Sequence, residues 1–225
     1  MIKAICFDFD GTLARFTGDF ALLADGLRSD LGLTQCDANT LPARRAQMER
    51  RSGAMTFGDT VRAALEELEL RVPNDLEQLA AQVVRDYSAQ MALLPGALDV
   101  LNFCCDRELS LALITNGPED MQRAAIQAVG IERYFQRILV SGDADVAVRK
   151  PNPRVFQMAC EALGTQPGET LMVGDNLGAD VKGALAYGMQ TVYLGDEPGT
   201  GYKTLPDIAA FGKWLEIRLC WDSSL

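Results

Sequence analysis

Downstream of about residue 96, short β-type runs alternate with helix-type runs, an order that few folds accept. Leu109 to Thr115 reads as a strand, and a helix beginning near Glu119 stops at Gly130. Ile138 to Val140 reads as a short strand, and a helix from about Arg154 to Leu163 ends at Gly164. The strand Thr170 to Val173 follows, then a helix to Tyr187 before Gly188, a strand Thr191 to Leu194, and a helical pattern over roughly Ile208 to Ile217. The apolar run Ile2 to Phe7 supplies a further strand at the start. Such alternation implies an α/β protein whose doubly wound parallel sheet carries helices on both faces.

Between about Arg15 and Pro95 the pattern changes to helical periodicity with no convincing strand. Leu22, Leu23, Leu27 and Leu31 recur at helical spacing, as do Leu65, Leu68, Leu76, Leu79 and Val83. A helical insertion is expected there, with Leu94-Pro95-Gly96 marking the return of the chain. No internal repeat or low-complexity tract interrupts either part.

At 225 residues the chain can form one large domain or two small ones around a substantial core. No stretch reaches the roughly 18 uninterrupted apolar residues of a membrane span, and the N-terminus lacks the features of a cleavable signal, so the expected compartment is the cytoplasm. A formal net charge of -10 opposes binding to nucleic-acid phosphates or anionic lipid. The chain contains no histidine, which excludes imidazole as its nucleophile, base or metal ligand. Acid–base chemistry then falls to Asp, Glu, Lys, Tyr or Cys. Cys6, Cys36, Cys104, Cys105, Cys160 and Cys220 show neither metal-ligand nor redox spacing, and are expected to be buried free thiols.

The first strand runs straight into Asp8-Phe9-Asp10-Gly11-Thr12. Alternation puts Asp8 and Asp10 on one side, a nucleophile and acid–base pair, and the glycine lets the chain bend so that N–H groups can face an anion. Asp-Gly between apolar segments is also a hairpin signal. In an open parallel sheet, however, ligands sit beyond the carboxyl ends of the strands, and three more groups fall at that edge. They are Thr115-Asn116-Gly117, a hydroxyl followed by a turn whose N–H groups could hold an oxyanion; Lys150-Pro151, just before a helix; and Gly174-Asp175-Asn176 with Asp180. Taken singly, these read as a turn, a helix lead-in, and a helix cap with a solvated residue. Their convergence on one edge favours a site.

In the order Asp8-x-Asp10-Gly11-Thr12, Thr115, Lys150 and Gly174-Asp175-x4-Asp180, the chain resembles the haloacid dehalogenase superfamily over nearly its whole length. The inserted helices resemble the small helical cap of its phosphoglycolate phosphatase-like branch. The resemblance implies a Rossmann-like core, residues 1–14 and 96–225, and a cap, residues 15–95. It places the first strand centrally, beside those of the second and fourth motifs. It also implies a small phosphorylated metabolite as substrate and a monomer or homodimer.

By the same resemblance, Asp8 attacks phosphorus to form an aspartyl-phosphate, while Asp10 protonates the leaving alcohol and then deprotonates water. Three ionised carboxylates, Asp8, Asp175 and Asp180, with a phosphate dianion carry five negative charges against one positive from Lys150. A divalent ion reduces the excess to two, and hard oxygen ligands favour Mg²⁺ held by Asp8, the Asp10 carbonyl and Asp175. Thr115 and the N–H groups near Asn116 and Gly11 are the expected donors to the phosphoryl oxygens, Lys150 the cation, and Asn176 and Asp180 supporting residues.

Dehalogenases of the superfamily lack an acid at the Asp10 position, since halide leaves without a proton. Phosphosugar mutases resemble enzymes with a cap histidine, which this chain lacks. A non-catalytic binding protein is the third alternative, and it would be expected to have lost an essential group. In the cap, Arg44-Arg45 to Arg50-Arg51 is either a clamp for a second anion or, more in keeping with helix surfaces, a solvated face. Arg149 is a candidate for the rim. Thr56-Phe57-Gly58-Asp59 either reaches the site or joins two cap helices.

Overall fold

The computed structural model describes residues 1–33, 39–51 and 53–222. Six parallel strands form the main sheet: β1 (Ala4–Phe7), β4 (Ser110–Thr115), β5 (Arg137–Val140), β6 (Thr170–Gly174), β7 (Gln190–Leu194) and β8 (Lys203–Leu205). Their order, β5-β4-β1-β6-β7-β8, puts β1 between the strands of the second and fourth motifs as expected. Ala4 is level with both Ser110 and Thr170, and Phe7 with Leu113 and Val173, so the three strands start level, and β4 and β6 run on past Phe7 to Thr115 and Gly174.

Side-chain alternation divides the core into two layers. Ile5, Phe7, Leu111, Leu113, Leu171 and Val173 face α5 (Ala97–Asp106), α6 (Glu119–Ala128) and α9 (Ile208–Asp222). Ala4, Cys6, Ala112, Ile114 and Met172 face α7 (Pro153–Leu163) and α8 (Gly183–Tyr187). Phe7 is fully buried and meets Phe211 of α9 edge-on at 5.9 Å. Burying one such ring contributes about 1.5–3 kcal/mol, so the central strand is strongly fixed.

Between β1 and β4 the chain builds α1 (Phe20–Asp30), α2 (Thr40–Glu49), α3 (Phe57–Glu67) and α4 (Leu76–Ser88). Leu27, Leu41, Phe57, Val61, Leu65, Leu76 and Val83 pack their inner faces, in a cluster continuous with the sheet's α6 layer through Met121. Leu22, by contrast, is exposed.

Contrary to the strand-free reading of this segment, β2 (Ala14–Phe16) pairs antiparallel with β3 (Met91–Leu93) where the chain leaves and re-enters the sheet. Leu94 N–H donates to Leu13 O at 2.9 Å and extends the ribbon by one bond. Three residues are too few to show a period, and the same holds for the edge strand β8, which the sequence pattern also misses. The helix expected up to Tyr187 begins as a π-helical turn, Leu177–Lys182. Of the cysteines, Cys6, Cys104 and Cys160 are buried as expected, whereas Cys105 and Cys220 are exposed; Cys36 lies outside the described residues. Cys105 follows Cys104 on α5, and one helical step turns it about 100° away from the core.

Candidate active site

The β1 ladder ends with Asp8, whose N–H donates to Val173 O at 2.9 Å. Lys150 Nζ donates to Asp8 Oδ1 and, at 2.6 Å, to the Ile114 carbonyl at the end of β4, and it lies 2.7 Å from Asp180 Oδ1. The lysine side chain is 2% exposed. Its backbone is fixed as well: Asn116 Nδ2 donates to Lys150 O at 3.0 Å, and Lys150 N–H returns a bond to Asn116 Oδ1 at 2.9 Å. Thr12 Oγ1 donates to Asp8 Oδ2 at 3.2 Å and lies 3.5 Å from Asp175 Oδ1.

Gly11 shapes the turn that follows Asp8. Its N–H is already used, donating to Ala14 O at 2.8 Å inside a turn where Phe9 O accepts from Leu13 and Ala14. The residue has φ +81, and a Cβ there would stand 2.1 Å from Asp175 Oδ2. Glycine therefore closes the turn and lets Asp175 approach.

Two other expected phosphoryl donors are likewise engaged. Thr115 Oγ1 donates to Gln122 Oε1 at 2.9 Å, and Gly117 N–H donates to Ser141 Oγ at 3.0 Å. Both donors lie deep at the end of β4, where polar groups without a protein partner would be costly. Gln122 in turn donates Nε2 to Asp10 Oδ2 at 2.9 Å, and Tyr87 of α4 donates to Asp10 Oδ1 at 3.2 Å.

On the other side of β1, Asp175 follows β6. Asn176 Oδ1 accepts from Gly178 N at 3.0 Å and Ala179 N at 2.9 Å, capping the π-helical turn. That turn points Asp180 inward, where its Oδ2 accepts from Asn176 N at 3.0 Å. A Cβ at Gly174 would come within 2.3 Å of Asp180 Oδ2, so the last residue of β6 has to be small.

Burial pushes the Asp8 carboxyl up to about 8; Lys150 opposes the shift, and Asp180 and Asp175 add to it. Asp175 is raised by burial and by Asp180, and Asp10 by burial against the hydrogen bonds from Gln122 and Tyr87. For Lys150, burial works to lower the pKa, but Asp8 and Asp180 outweigh it and the net direction is upward. Negative charge is thus undercompensated by the protein alone. Carboxylate oxygens of Asp8, Asp175 and Asp180 lie within 4.8 Å of one another, a donor set of hard oxygens that fits a divalent cation.

These carboxylates and Lys150 line a pocket of about 230 Å³. It shares Asp10, Asn116 and Asp175 with a neighbouring cavity of about 450 Å³, which reaches Arg15, Phe20 and Arg45 of the inserted segment. Arg45 lines this cavity, pairs with Glu49, and stands 5.0 Å from the Phe57 ring centroid. Arg44 and Arg51 instead face Glu67, at 3.9 and 3.7 Å, on a solvated surface. Arg149, the rim candidate, is turned to the backbone carbonyl of Glu49.

Thr56 and Asp59 form a capping box at the start of α3. The residues beside them attach the helices to the sheet: Phe57 N–H donates to Asp120 Oδ1 at 2.7 Å, and Met55 N–H to Gly142 O at 2.9 Å.

The sequence pattern misses Thr12, Tyr87 and Gln122 as site residues. Gln122 had a signal, since it lies in the first turn of the helix that follows Thr115 at the ligand edge. Tyr87 had none, because 77 residues separate it from Asp10.

Fold and site together define a parallel α/β hydrolase that gathers acids and one lysine at the carboxyl edge of its central strands. A family model for haloacid dehalogenase-like hydrolases matches residues 2–188, and the chain belongs to that family. It is similar to phosphoserine phosphatase of Thermus thermophilus, 39% identical over 133 residues, which are 59% of this chain and 52% of that protein. The match therefore spans about half of that relative's length. Phosphoglycolate phosphatase of Rhodospirillum rubrum is 30% identical over 231 residues, covering 96% of this chain and 91% of that one. Among solved structures, a 2-haloacid dehalogenase from Pseudomonas syringae superposes with a TM-score of 0.72 at 21% identity, over 98% of this chain and 100% of that one. The fold is therefore common to proteins named as phosphatases and as dehalogenases, and side chains must separate the two chemistries.

Proposed function

We propose that this chain is a Mg²⁺-dependent phosphatase that hydrolyses a small-molecule phosphomonoester through an aspartyl-phosphate on Asp8. The observation that carries the reading is Asp10, a second carboxyl beside the nucleophile pocket that is held by two neutral donors. An alkoxide needs a proton to leave and a halide does not, so Asp10 favours ester hydrolysis over dehalogenation. The names of the phosphoserine and phosphoglycolate phosphatases to which the chain is similar support the same reaction class.

In the first half-reaction an Asp8 oxygen attacks phosphorus, the ester P–O bond breaks, and the leaving oxygen takes the proton of Asp10. Burial favours the protonated form of Asp10 that this step requires. In the second, Asp10 takes a proton from water as the water oxygen attacks phosphorus, and the Asp8–phosphorus bond breaks. Lys150 keeps Asp8 oriented and supplies positive charge beside the transferring group. Asp8, the Asp10 carbonyl and Asp175 would hold Mg²⁺, which when bound offsets the negative charge gathered by three carboxylates and a phosphoryl group. Asn116 positions Lys150 through its backbone, and Asp180 does so through its charge.

Residues 1–14 and 96–225 act as the catalytic core and residues 15–95 as a cap that shapes the leaving-group side. The test is phosphate release from a panel of phosphorylated sugars, nucleotides and small phospho-acids, with Mg²⁺ and after chelation, for wild type and Asp8→Asn. Release is expected only from wild type with metal, and Asp8→Asn is expected to lose roughly 10³-fold or more. Unchanged turnover in Asp8→Asn would reject covalent catalysis at that residue.

A further inference from the structure

Asp10 is gripped from two directions, and neither grip follows from the motif that contains it. Tyr87 donates to Asp10 Oδ1 at 3.2 Å from α4, in the helical insertion. Gln122 donates Nε2 to Asp10 Oδ2 at 2.9 Å from the first turn of α6, in the core. The Gln122 amide is itself oriented, because Oε1 accepts from Thr115 Oγ1 at 2.9 Å and the nitrogen is left facing Asp10. Each carboxyl oxygen therefore has one donor, which fixes rotation about the last side-chain bond and leaves the remaining lone pairs to the pocket. Both donors are neutral. They aim the group without adding charge to it, as a lysine or arginine in either place would.

Tyr87 is a rigid support. The residue is 5% exposed, and its ring stacks on Phe16 at 5.1 Å, with 22° between the planes. Phe16 lies on β2, the strand that leaves the Asp10 turn, so the tyrosine is braced against the same stretch of chain that it steadies. A hydroxyl reaching from the insertion to a core carboxyl couples the seating of one part to the aim of the other.

We infer that Tyr87 and Gln122 are positioning residues for Asp10, and that Tyr87 brings the acid–base group into register only when the inserted helices are seated on the core. The inference rests on the phosphatase reading and adds residues that the motif pattern leaves out. Its signature is dependence on the leaving group. The specificity ratio kcat/KM reports steps up to departure of the alcohol, where an alkyl ester needs the Asp10 proton and a dinitrophenyl ester does not.

The experiment compares wild type, Tyr87→Phe and Gln122→Met on an n-alkyl phosphate and on 2,4-dinitrophenyl phosphate at saturating Mg²⁺. For either variant, kcat/KM is expected to fall about tenfold or more on the alkyl ester, a part of the roughly 10²- to 10⁴-fold that acid–base help supplies, and by less than about threefold on the aryl ester. Thermal melting identifies a variant that fails to fold, and the other then carries the test. Equal losses on both esters, or none on either, would overturn the inference and leave the phosphatase reading standing. A wild-type protein inert to both esters would sink that reading and the inference with it.

Discussion

Lys150 Nζ lies 2.7 Å from Asp180 Oδ1, and the two side chains are 2% and 1% exposed. The same ammonium also serves Asp8 and the Ile114 carbonyl, so one cation joins the ends of β1 and β4 to the turn after β6. Breaking a buried pair leaves a charge without its partner, and Lys150→Ala, which strips Asp8 and Asp180 of their shared cation, is expected to lower stability by about 3–5 kcal/mol in urea denaturation. Lys150→Ala should in addition weaken binding of phosphate and of transition-state mimics such as vanadate at every Mg²⁺ concentration. Wild-type vanadate affinity in Lys150→Ala would remove the lysine from the phosphoryl site.

Asp175 should act differently. It is exposed at the pocket and grouped with Asp8 and Asp180, and the proposed metal is the partner for its charge. Asp175→Ala is expected to raise the Mg²⁺ concentration for half-maximal activity by at least about tenfold, the loss of one or more kcal/mol of ligation. Titrating turnover with Mg²⁺ beside calorimetric titration of Mg²⁺ binding separates ligation from catalysis. A titration identical to wild type would take Asp175 out of the metal shell.

Gly11 links these two effects. An alanine there must hold φ near +81 and place its Cβ 2.1 Å from Asp175 Oδ2. The left-handed conformation alone costs about 1–2 kcal/mol, and the carboxylate has to move as well. Gly11→Ala is therefore expected both to melt at lower temperature and to raise the Mg²⁺ requirement. A destabilised variant with a normal Mg²⁺ requirement would mean that the turn matters and the close approach does not.

What was legible in the sequence was whatever is local to a strand end. Asp8, Asp10, Asp175 and Lys150 announce themselves because each follows an apolar run or precedes a helix, and a parallel sheet brings such ends to one edge. Partnerships were not legible. Thr115 and Gly11 stand beside the site as expected, yet the Thr115 hydroxyl is given to Gln122 and the Gly11 N–H to Ala14. Spacing identifies donors near a ligand but says nothing about competing acceptors. The ribbon of β2 and β3 was hidden for a different reason, since three-residue strands have no period, and their pairing spans the whole insertion.

That insertion is where selectivity should lie. Arg45 and Phe20 border both the 450 Å³ cavity beside Asp10 and an apolar cavity of about 190 Å³ between the helices, which is also lined by Leu27, Leu41 and Val83. A leaving group that extends into the 450 Å³ cavity would meet Arg45 on its lining. Arg45→Ala is expected to change the ranking of natural phosphomonoesters by about tenfold, the worth of one charge-assisted contact, with far less effect on a small aryl phosphate. Arg44→Ala is the surface comparison, since Arg44 faces Glu67 in solvent, and should leave the ranking as it was. Arg149 ties the core to the Glu49 carbonyl, so Arg149→Ala should act through seating of the helices and slow all substrates alike. Measuring kcat/KM for each variant over the panel separates the three patterns. If Arg45→Ala left the ranking untouched, selectivity would have to reside in the core, and the helices would serve only to cover it.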